Sequence, residues 1–301
     1  MSQARAVTVI IPNLNSPIVD RTIASLGAQT QADAIGEILV IGRDDPGRLA
    51  RVVGARLIET PRPVTAPVAR NLGIGQAQGD LLAFIDADCI ADRAWLEHLL
   101  SEVDAGHPVV SGAMEFPRDN YWAAAYNVSL FHEFLRSTPR GPRGHLPTSN
   151  LIVQRSVIDV VGPMDEELAR GQDTDWTVRM LEQGVPLWFT PHAWVLHDHS
   201  RRSVTSMWRQ CAQSGAYSAL IRQRHASTLA APSLLRRPVL LLVLAPFIAG
   251  AITARIFLRD RALWREVALS PAVYLTKIAW CVGAAAAART PDQYRLLAEA
   301  R

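Results

Sequence analysis

Several features that would assign the chain to a class of protein are missing from its sequence. Its 301 residues include three cysteines, too far apart to form a C-x-x-C metal or redox motif. We expect them to be free thiols in a reducing compartment. The first six residues contain no apolar stretch, so we expect no secretory signal and a folded part that stays in the cytoplasm. The sequence also has no internal repeat or low-complexity segment.

The composition is that of a folded protein with an uneven distribution of charge. Hydrophobic residues make up 49% and charged residues 20%, which excludes a disordered chain. Residues 1–200 hold 16 basic and 24 acidic side chains, whereas residues 201–301 hold 15 and 4. Long apolar runs accompany the basic tail, and this combination favours anionic lipid over nucleic acid as its partner.

Apolar runs alternate with amphipathic stretches along the first 200 residues. This order predicts an α/β fold with a mainly parallel, doubly wound sheet, whose ligands bind beyond the carboxyl ends of its strands. The predicted strands are residues 7–12, 35–41, 56–59, 81–85, 150–153 and 187–190, and the predicted helices are 18–28, 68–77 and 173–183.

Two aspartates follow the predicted strand at residues 81–85. Asp86 and Asp88 are separated by one residue and form a pair of oxygen ligands that suits Mg²⁺ or Mn²⁺. A diphosphate leaving group needs such a cation, because negative charge develops on it as the glycosidic bond breaks. Acidic residues after a strand are more often solvated loop or helix-capping groups, so the pair alone assigns no function.

The neighbours of this pair give the chain a resemblance to glycosyltransferase family 2, whose members have the GT-A fold and are typically inverting enzymes. The resemblance covers about residues 7–199 and rests on five segments in the family's order. They are Val9-Ile10-Ile11-Pro12-Asn13-Leu14-Asn15; Ala69-Arg70-Asn71-Leu72-Gly73 with Gly79-Asp80; Ser149-Asn150-Leu151 with Arg155 and Val161-Gly162-Pro163-Met164-Asp165; Gly171-Gln172-Asp173-Thr174-Asp175-Trp176 with Arg179, Gly184 and Pro191; and His197.

The resemblance implies a role for each matching residue. Asp88 resembles the principal metal ligand, Asp86 a contact to the donor's ribose or the metal shell, and His197 a further metal or phosphate contact. Asp173 resembles the catalytic base, which takes the proton from the acceptor hydroxyl as that oxygen attacks the anomeric carbon from the side opposite the nucleotide. The donor side is assigned to Pro12, Asn13, Asn15, Asp44, Asp45, Arg70 and Asp86, and the acceptor side to Asn150, Asp175 and Trp176.

Four of these residues also have a structural interpretation. Asp173 could cap a helix or interact with its dipole, and His197 could be a satisfied polar residue at a strand end. Packing is favoured for Trp176 over stacking on a sugar ring. A surface ion pair is the alternative to a nucleotide contact for Arg70.

The sequence departs from the family pattern after the second predicted strand. The family usually has D-D-G-S there, with the first aspartate contacting the base, whereas this chain has Gly42 at the equivalent position without a gap. Either Asp44 or Asp45 supplies the contact, or the nucleotide is held differently. We expect uridine as the base. Gln172 also replaces a common glutamate, which leaves Asp173 intact.

Two apolar segments dominate the basic tail. Residues 267–288 are long enough to cross a bilayer, whereas residues 238–254 are borderline at about 17 apolar residues. If both crossed from a cytoplasmic start, the arginines between them would lie outside, against the positive-inside tendency. We therefore prefer a re-entrant hairpin or a pair of helices in the interface, with a buried helical pair or a dimer interface as the alternative. The arginines are Arg255, Arg259, Arg261 and Arg265.

We therefore expect three parts: a GT-A domain at residues 1–200, basic connecting helices at 201–237 and a membrane-associated helical tail at 238–301. Residues 120–147, with three arginines and three prolines, are expected to form a mobile acceptor lid or a plain surface loop. The oligomeric state is not predicted.

The expected protein is a metal-dependent inverting glycosyltransferase of the hexosyltransferase type. It would move a sugar from a UDP-linked donor to a hydroxyl of a lipid-linked or glycan acceptor at the cytoplasmic face of the inner membrane, in cell-envelope glycolipid or polysaccharide synthesis. A sugar nucleotidyltransferase is disfavoured because residues 13–17 are not a glycine-rich, basic triphosphate loop. A non-catalytic membrane scaffold is disfavoured because Asp86, Asp88 and Asp173 are all present.

Overall fold

The structure, a computed structural model, describes residues 6–289 and contains two compact units. The first unit comprises the described chain up to Glu115 together with Pro139–Asp198, and the second comprises Phe116–Thr138 and the described chain from His199 onward. The domains expected from the sequence place residues 116–138 in the same domain as the sheet, whereas the structure places them in the second unit. The last part of the expected tail, residues 290–301, lies outside the described residues.

Nine strands and nine α-helices make up the two units. The strands are β1 (Val7–Leu14), β2 (Ile35–Arg43), β3 (Arg56–Glu59), β4 (Leu81–Ile85), β5 (Cys89–Ala91), β6 (Val109–Glu115), β7 (Gly141–Pro142), β8 (Asn150–Gln154) and β9 (Leu187–His197), as found between residues 6 and 289. The helices of the same range are α1 (Val19–Gly27), α2 (Ala66–Gln76), α3 (Trp95–Asp104), α4 (Tyr121–Phe131), α5 (Arg155–Val161), α6 (Gln172–Glu182), α7 (Val204–Arg224), α8 (Pro238–Arg259) and α9 (Ser270–Arg289). Short 3₁₀ helices lie at Ala32–Ala34, Arg48–Arg51, Ser233–Arg236 and Arg261–Leu269.

One half of the sheet, in the first unit, is parallel. β1 lies between β2 and β4 and runs parallel to both, and β3 runs parallel to β2. Val9, Ile10 and Ile11 of β1 are all fully buried. A parallel strand covered on both faces has a continuous apolar run rather than an alternating pattern, which is the pattern of residues 7–11. The parallel α/β arrangement expected from the sequence is confirmed in this half.

The other half of the sheet contains strands of both directions. β8 runs antiparallel to β4 and β6, β9 runs parallel to β6, and both β5 and β7 run antiparallel to β9. The sheet as a whole is therefore mixed, with β3-β2-β1-β4-β8-β6-β9-β5 as its strand order and β7 also paired with β9. The carboxyl ends of β1, β2 and β4 meet at one edge of this sheet, which is where ligands bind in open α/β sheets.

The second unit is helical and is built around α9. This helix packs against α7, α8 and α4. Its backbone touches that of α7, because a Cβ atom on Gly283 would lie 1.7 Å from the carbonyl oxygen of Ala212. A Cβ atom on Gly215 would similarly lie 2.0 Å from the carbonyl oxygen of Trp280. Small residues at such crossings allow two helices to approach more closely than larger residues would.

Two helical segments of the second unit are long and apolar enough to cross a membrane. They are Pro238–Arg259 and Arg261–Arg289, in agreement with the two apolar segments of the tail. The most apolar stretch is 28% buried in the first and 44% buried in the second. Helices of this length and composition also occur in the cores of soluble proteins.

The segment 120–147 contains more regular structure than the sequence predicts. α4 begins after Asn120, whose Oδ1 accepts a hydrogen bond from the Ala123 N–H at 3.0 Å and so caps the helix. β7 lies in the same segment. The prediction of a lid or loop is therefore wrong for α4 and β7. The arginines and prolines on which it rested begin only at Arg136.

Candidate functional site

Side chains at the ends of β1 and β2 tie the two strand ends together. The Asn13 amide donates to the carbonyl oxygen of Arg43 at 2.7 Å, and the Asn15 N–H donates to the same oxygen at 3.0 Å. Asn15 has a positive φ of 56°, a conformation that asparagine tolerates better than most residues. The hydroxyl of Ser16 donates to the carbonyl oxygen of Ala87 at 2.7 Å and so joins this loop to the loop after β4.

The acidic residues after β2 both have hydrogen-bond partners within the protein. Asp45 accepts from the Asn15 amide at 2.7 Å and forms an ion pair with Arg43. These hydrogen bonds from Asn15 and Arg43 lower the pKa of Asp45 below its usual range. Asp44 accepts from the Leu49 N–H at 2.7 Å through Oδ2. Its Oδ1 is buried without a hydrogen-bond partner among residues 6–289, so Asp44 retains one acceptor that is not satisfied.

Gly42 gives a physical reason for the departure from the family pattern. It lies opposite Asn13 in the pairing of β1 and β2, and its φ is 132°. A Cβ atom there would lie 2.0 Å from the carbonyl oxygen of Asn13. No side chain fits at that distance, so an aspartate cannot replace glycine without separating the two strand ends.

Asp86 and Arg70 form a partly buried ion pair beside the loop after β4. Arg70 of α2 is 3% exposed, and its Nη2 lies 2.5 Å from Asp86 Oδ1. The Nε and Nη1 groups of Arg70 are buried, and no hydrogen-bond partner for them lies in the described chain. Arg70 Nη2 is therefore engaged in an ion pair, but Arg70 is buried, so this is not the surface ion pair considered as the alternative. Its other two donor groups remain without an acceptor.

Asp88 and His197 come together because β5 and β9 are paired. Cys89 of β5 lies opposite His197 of β9 in this antiparallel pair, which brings the end of β9 next to Asp88. Asp88 Oδ1 is 3.6 Å from His197 Nε2. The possible ligand atoms of Asp88, Cys89 and His197 all lie within 4.8 Å of one another. His197 is buried, whereas Asp88 is 27% exposed and accessible from solvent.

The chemistry of this cluster fits a hard divalent cation. Burial, followed by the charges of Asp88 and Asp86, raises the pKa of the Cys89 thiol well above its usual range. The cluster thus offers one carboxylate, one imidazole and one thiol, and a set of this kind does not match the thiolate-rich sites that hold structural zinc.

Asp173 is positioned by the start of α6. The helix follows Gly171, which has a φ of 70°, and Asp173 is its second residue. Its Oδ1 accepts a hydrogen bond from the Thr174 N–H at 2.8 Å, and the side chain is partly exposed. An acidic side chain in the first turn interacts favourably with the helix dipole. The carboxylate is therefore held in place while solvent can still reach it.

The three residues assigned to the acceptor side are buried, and their polar groups bind the protein itself. Asp175 is 1% exposed and lies 3.1 Å from Arg179 Nε. Trp176 is fully buried, donates to the carbonyl oxygen of Gly162 at 2.9 Å and packs edge-on against Phe84. Neither side chain is available to a sugar in this structure, and the packing interpretation of Trp176 holds.

Asn150 is also buried, and it fills a gap in the sheet. The pairing of β6 with β9 shifts after Gly112, where β9 bulges. Asn150 donates through its amide to the carbonyl oxygens of Ala113 and Ala193 at 2.9 and 3.0 Å, and accepts from Trp95 Nε1 at 2.8 Å. The side chain thus satisfies carbonyl groups that the bulge leaves unpaired.

Asn71 has a positioning role that the sequence did not indicate. Its side chain forms two hydrogen bonds with the backbone of Met164, each 2.9 Å long, and a third with Glu166 at 2.9 Å. Arg179 binds the carbonyl oxygen of Pro163 in the same turn at 2.6 Å. The turn before α6 is therefore held from α2 and from α6. Asn71 and Met164 both lie in segments that carry the family resemblance. They are 93 residues apart in the chain, so no local sequence pattern indicates their contact.

Proteins with related sequences are glycosyltransferases or carry names from polysaccharide synthesis. Glycosyltransferase AglE of Haloferax volcanii is 31% identical over 194 residues, which are 61% of this chain and 64% of that protein. Pre-mycofactocin glycosyltransferase of Mycobacterium tuberculosis is 29% identical over 208 residues, or 65% and 43% of the two chains. Succinoglycan biosynthesis protein ExoM of Rhizobium meliloti is 26% identical over 199 residues, or 60% and 62%. The chain spans less than two thirds of each of these relatives.

The fold and the family follow from two further comparisons. The crystal structure of GalNAc-T7 with UDP, GalNAc and Mn²⁺ is similar to this chain with a TM-score of 0.53, at 14% identity over 77% of this chain and 52% of that one. This likeness confirms the GT-A-type fold. Residues 8–162 match the model of glycosyl transferase family 2. This match confirms the resemblance that the five segments indicate, and the chain belongs to glycosyl transferase family 2.

Proposed function

We propose that the protein transfers a sugar, with inversion, from a UDP-linked donor to a hydroxyl of a lipid-linked or glycan acceptor, supported by Mg²⁺ or Mn²⁺. The observation that carries this proposal is the proximity of Asp88 and His197 beside the Asp86–Arg70 pair, at the carboxyl end of β4. Positive and negative groups are thus available where a nucleotide diphosphate would bind in a sheet of this type.

The donor side is supported by groups that lack partners. Each buried polar group without a hydrogen bond costs about 1–3 kcal/mol, so Arg70 Nε and Nη1 favour a ligand that accepts from them. Asp44 Oδ1 similarly favours a ligand that donates. In our proposal, Pro12, Asn13 and Asn15, at the carboxyl end of β1, also shape the donor side of the site. A nucleotide carries both kinds of group.

The cation would be held by Asp88 and His197, with Asp86 nearby. When bound, it supplies positive charge for the diphosphate that leaves the donor. A ligand pair of one oxygen and one nitrogen suits Mn²⁺ better than Mg²⁺, because Mg²⁺ sites in proteins consist mainly of oxygen ligands.

Asp173 would accept the proton of the acceptor hydroxyl. Its carboxylate is partly exposed and is fixed at the start of α6, as a general base must be. With Asp175 buried, Asp173 is the stronger candidate of the two acidic residues in this turn.

The cellular role is proposed from the relatives and from the helical unit. One relative is named for succinoglycan biosynthesis, and two others are named as glycosyltransferases. The basic tail and its two apolar helices support membrane association at the cytoplasmic face of the inner membrane. We therefore propose a role in the synthesis of cell-envelope polysaccharide or glycolipid.

Calorimetry with UDP tests the donor site in the full-length protein. We expect wild-type affinity to depend on Mn²⁺ and to fall when EDTA is added. Asp88→Ala should weaken the metal-dependent binding at least ~10-fold, because removing even the groups that support a metal ligand typically costs this much. Asp33→Ala is the matched control, since Asp33 is an exposed carboxylate of the 3₁₀ helix Ala32–Ala34. Equal metal-dependent affinity in both variants would remove Asp88 from the site.

A further inference from the structure

The connection between α8 and α9, residues 260–269, is bound to the segment 116–138 by an ion pair and hydrogen bonds. Arg118 Nε lies 2.6 Å from Glu266 Oε1, and the hydroxyl of Tyr121 donates to the carbonyl oxygen of Ala268 at 3.1 Å. These contacts join the first part of the segment to the second part of the connection.

The other end of the segment is joined to the end of α8. The hydroxyl of Ser137 donates to Asp260, and Arg259 Nη1 lies 3.8 Å from Glu133 Oε1. Apolar contacts fill the space between the polar ones. The buried cluster comprises Phe116, Ala124, Ala125, Val128 and Leu135 with Ile256, Phe257, Leu263, Leu269, Ala272 and Val273.

The covalent chain determines on which side of a membrane this segment can lie. Phe116 is bonded to Glu115, the last residue of β6, and Thr138 is bonded to Pro139, from which the chain continues into β7. The segment would have to cross a bilayer twice to reach the far side and return. Its one α-helix, α4, has 11 residues and is ~17 Å long, whereas the hydrocarbon core is ~30 Å thick. The segment therefore stays on the side of the catalytic sheet, and so does the connection that it binds.

The two apolar helices differ in how much surface they leave for lipid. α9 is surrounded by α7, α8 and α4, and Lys277 on it donates to the carbonyl oxygen of Ser129 at 2.8 Å. α8 instead presents an exposed apolar stripe with a spacing of four residues. It begins with Val239, Val243 and Phe247, which are 65%, 63% and 76% exposed. This spacing places all three on one face of the helix.

Basic residues flank the apolar stripe of α8 at both ends. The helix has no charged residue between Arg237 and Arg255. Beyond its far end, Arg261 and Arg265 are exposed, and so is the ring of Trp264. Arginines at both ends of an apolar face, with a tryptophan beyond one of them, are typical of helices that lie at the headgroup level of anionic membranes. The charges favour a lipid surface over a second copy of this basic chain as the partner of α8.

We infer, on the basis of the membrane association proposed above, that the helical unit enters only one leaflet. The stripe of Val239, Val243 and Phe247 contacts the acyl chains, and both ends of α8 lie among anionic headgroups on the side of the catalytic sheet. The tail therefore does not cross the membrane, and the connection between α8 and α9 remains on the catalytic side.

Labelling of added cysteines in the full-length protein tests this topology. The three native cysteines are buried, so the wild-type chain gives the background. Single cysteines are introduced by Val53→Cys in the first unit, Val267→Cys in the connection and Phe247→Cys in the stripe, all at exposed positions that do not disturb a core. The protein is bound to preformed vesicles of phosphatidylcholine and phosphatidylglycerol and treated with a membrane-impermeant maleimide.

We expect the reagent to label Val53→Cys and Val267→Cys from outside to the same extent. Phe247→Cys should be labelled without vesicles and protected with them, with protection reduced on pure phosphatidylcholine. Labelling of Val267→Cys only after the vesicles are permeabilised would show a full crossing and overturn the inference.

The remaining outcomes distinguish failure of this inference from failure of the proposed membrane association on which it rests. If the protein does not float with vesicles, the membrane association itself is refuted. If Phe247→Cys is protected without lipid and the protein has the mass of a dimer, the stripe is an interface between two copies and the inference fails. The binding of UDP with Mn²⁺ is measured independently, so none of these results depends on the transfer reaction.

Discussion

Asp173 is the single side chain on which turnover should depend most strongly. In Asp173→Asn, the remaining Oδ1 can still accept the hydrogen bond from Thr174, but the side chain cannot take a proton. Removal of a general base typically lowers turnover ~10²–10⁴-fold. The loss of a helix cap costs ~1 kcal/mol, or about fivefold. We therefore expect donor affinity and melting temperature to be retained while turnover falls by at least ~100-fold.

Turnover of Asp173→Asn is compared with that of Asp165→Asn at saturating donor. Asp165 lies in the turn before α6 and is another carboxylate that could act as a base. If the folded Asp173→Asn protein retains more than about a fifth of wild-type turnover, the effect is no larger than that of a lost cap. The base would then be another residue.

At the scale of residues, the sequence predicts the position of the candidate site better than it predicts which of its side chains are accessible to a ligand. The D-A-D pair and the late histidine predict a site at Asp88 and His197, and these two side chains lie 3.6 Å apart. Asn150 and Asp175 stand in equally recognisable segments, yet both are buried and engaged. Asn150 is saturated by groups 37 to 55 residues away, and such pairing depends on the register of the sheet.

At the scale of elements, the crossing of α7 and α9 depends on two glycines. An added Cβ at Gly283 would lie 1.7 Å from a carbonyl oxygen of α7, so Gly283→Ala forces the helices apart. Overpacking of this kind costs ~1–3 kcal/mol. Gly250→Ala in α8 is the matched control, because nothing lies within 4 Å of its added Cβ. Alanine should be neutral or stabilising there by ~0.5–1 kcal/mol, since it has the higher helix propensity.

Denaturant melts of the two glycine variants in detergent measure this difference. We expect the midpoint to fall for Gly283→Ala and to stay constant or rise for Gly250→Ala. Equal midpoints would mean that α7 and α9 do not cross at this point.

Several elements with regular patterns were predicted well, but β9 extends seven residues beyond its predicted end, and β5, β6, α3, α4 and α5 were not predicted. β3 and β4 have the predicted bounds, and β1, β2 and α6 differ from prediction by one or two residues at their ends. α4 contains alanines and aromatic residues on all sides and has no polar face. A helix that is buried on several sides lacks the periodic pattern by which amphipathic helices are predicted. Its partners are also in a different part of the chain.

At the scale of the whole molecule, membrane binding should depend on the exposed face of α8 rather than on the presence of the tail alone. Phe247→Ser should weaken binding to anionic vesicles, because burial of a phenylalanine side chain contributes ~1.5–3 kcal/mol, or about 10- to 100-fold in partitioning. Flotation of the full-length protein measures this change. Val53→Ser, at a position that is 94% exposed in the first unit, should bind as wild type does.

Removal of the tail would be a less informative experiment. A truncation after Arg224 deletes α8 and α9, which cover the apolar side of α4. The remaining chain would expose Ala124, Ala125 and Val128. Its solubility would therefore depend on these exposed apolar side chains as well as on membrane binding. In Phe247→Ser, by contrast, UDP binding should be unchanged. Loss of UDP binding in that variant would mean that the substitution disturbs more than the lipid-facing surface.

The contact of α4 with the tail also has a consequence for the synthesis of the protein. Arg118 and Glu266 are separated by 148 residues, and Tyr121 and Ala268 by 147. At ~5–20 residues per second, a ribosome needs roughly 7–30 s to make the chain between them. During that time β6, β8 and β9 emerge and can pair. The apolar side chains of α4 remain uncovered, because α8, α9 and their connection have not yet been made. The nascent chain therefore exposes an apolar helix after the strands of the sheet have been made, and chaperone binding to α4 should peak before α9 leaves the ribosome.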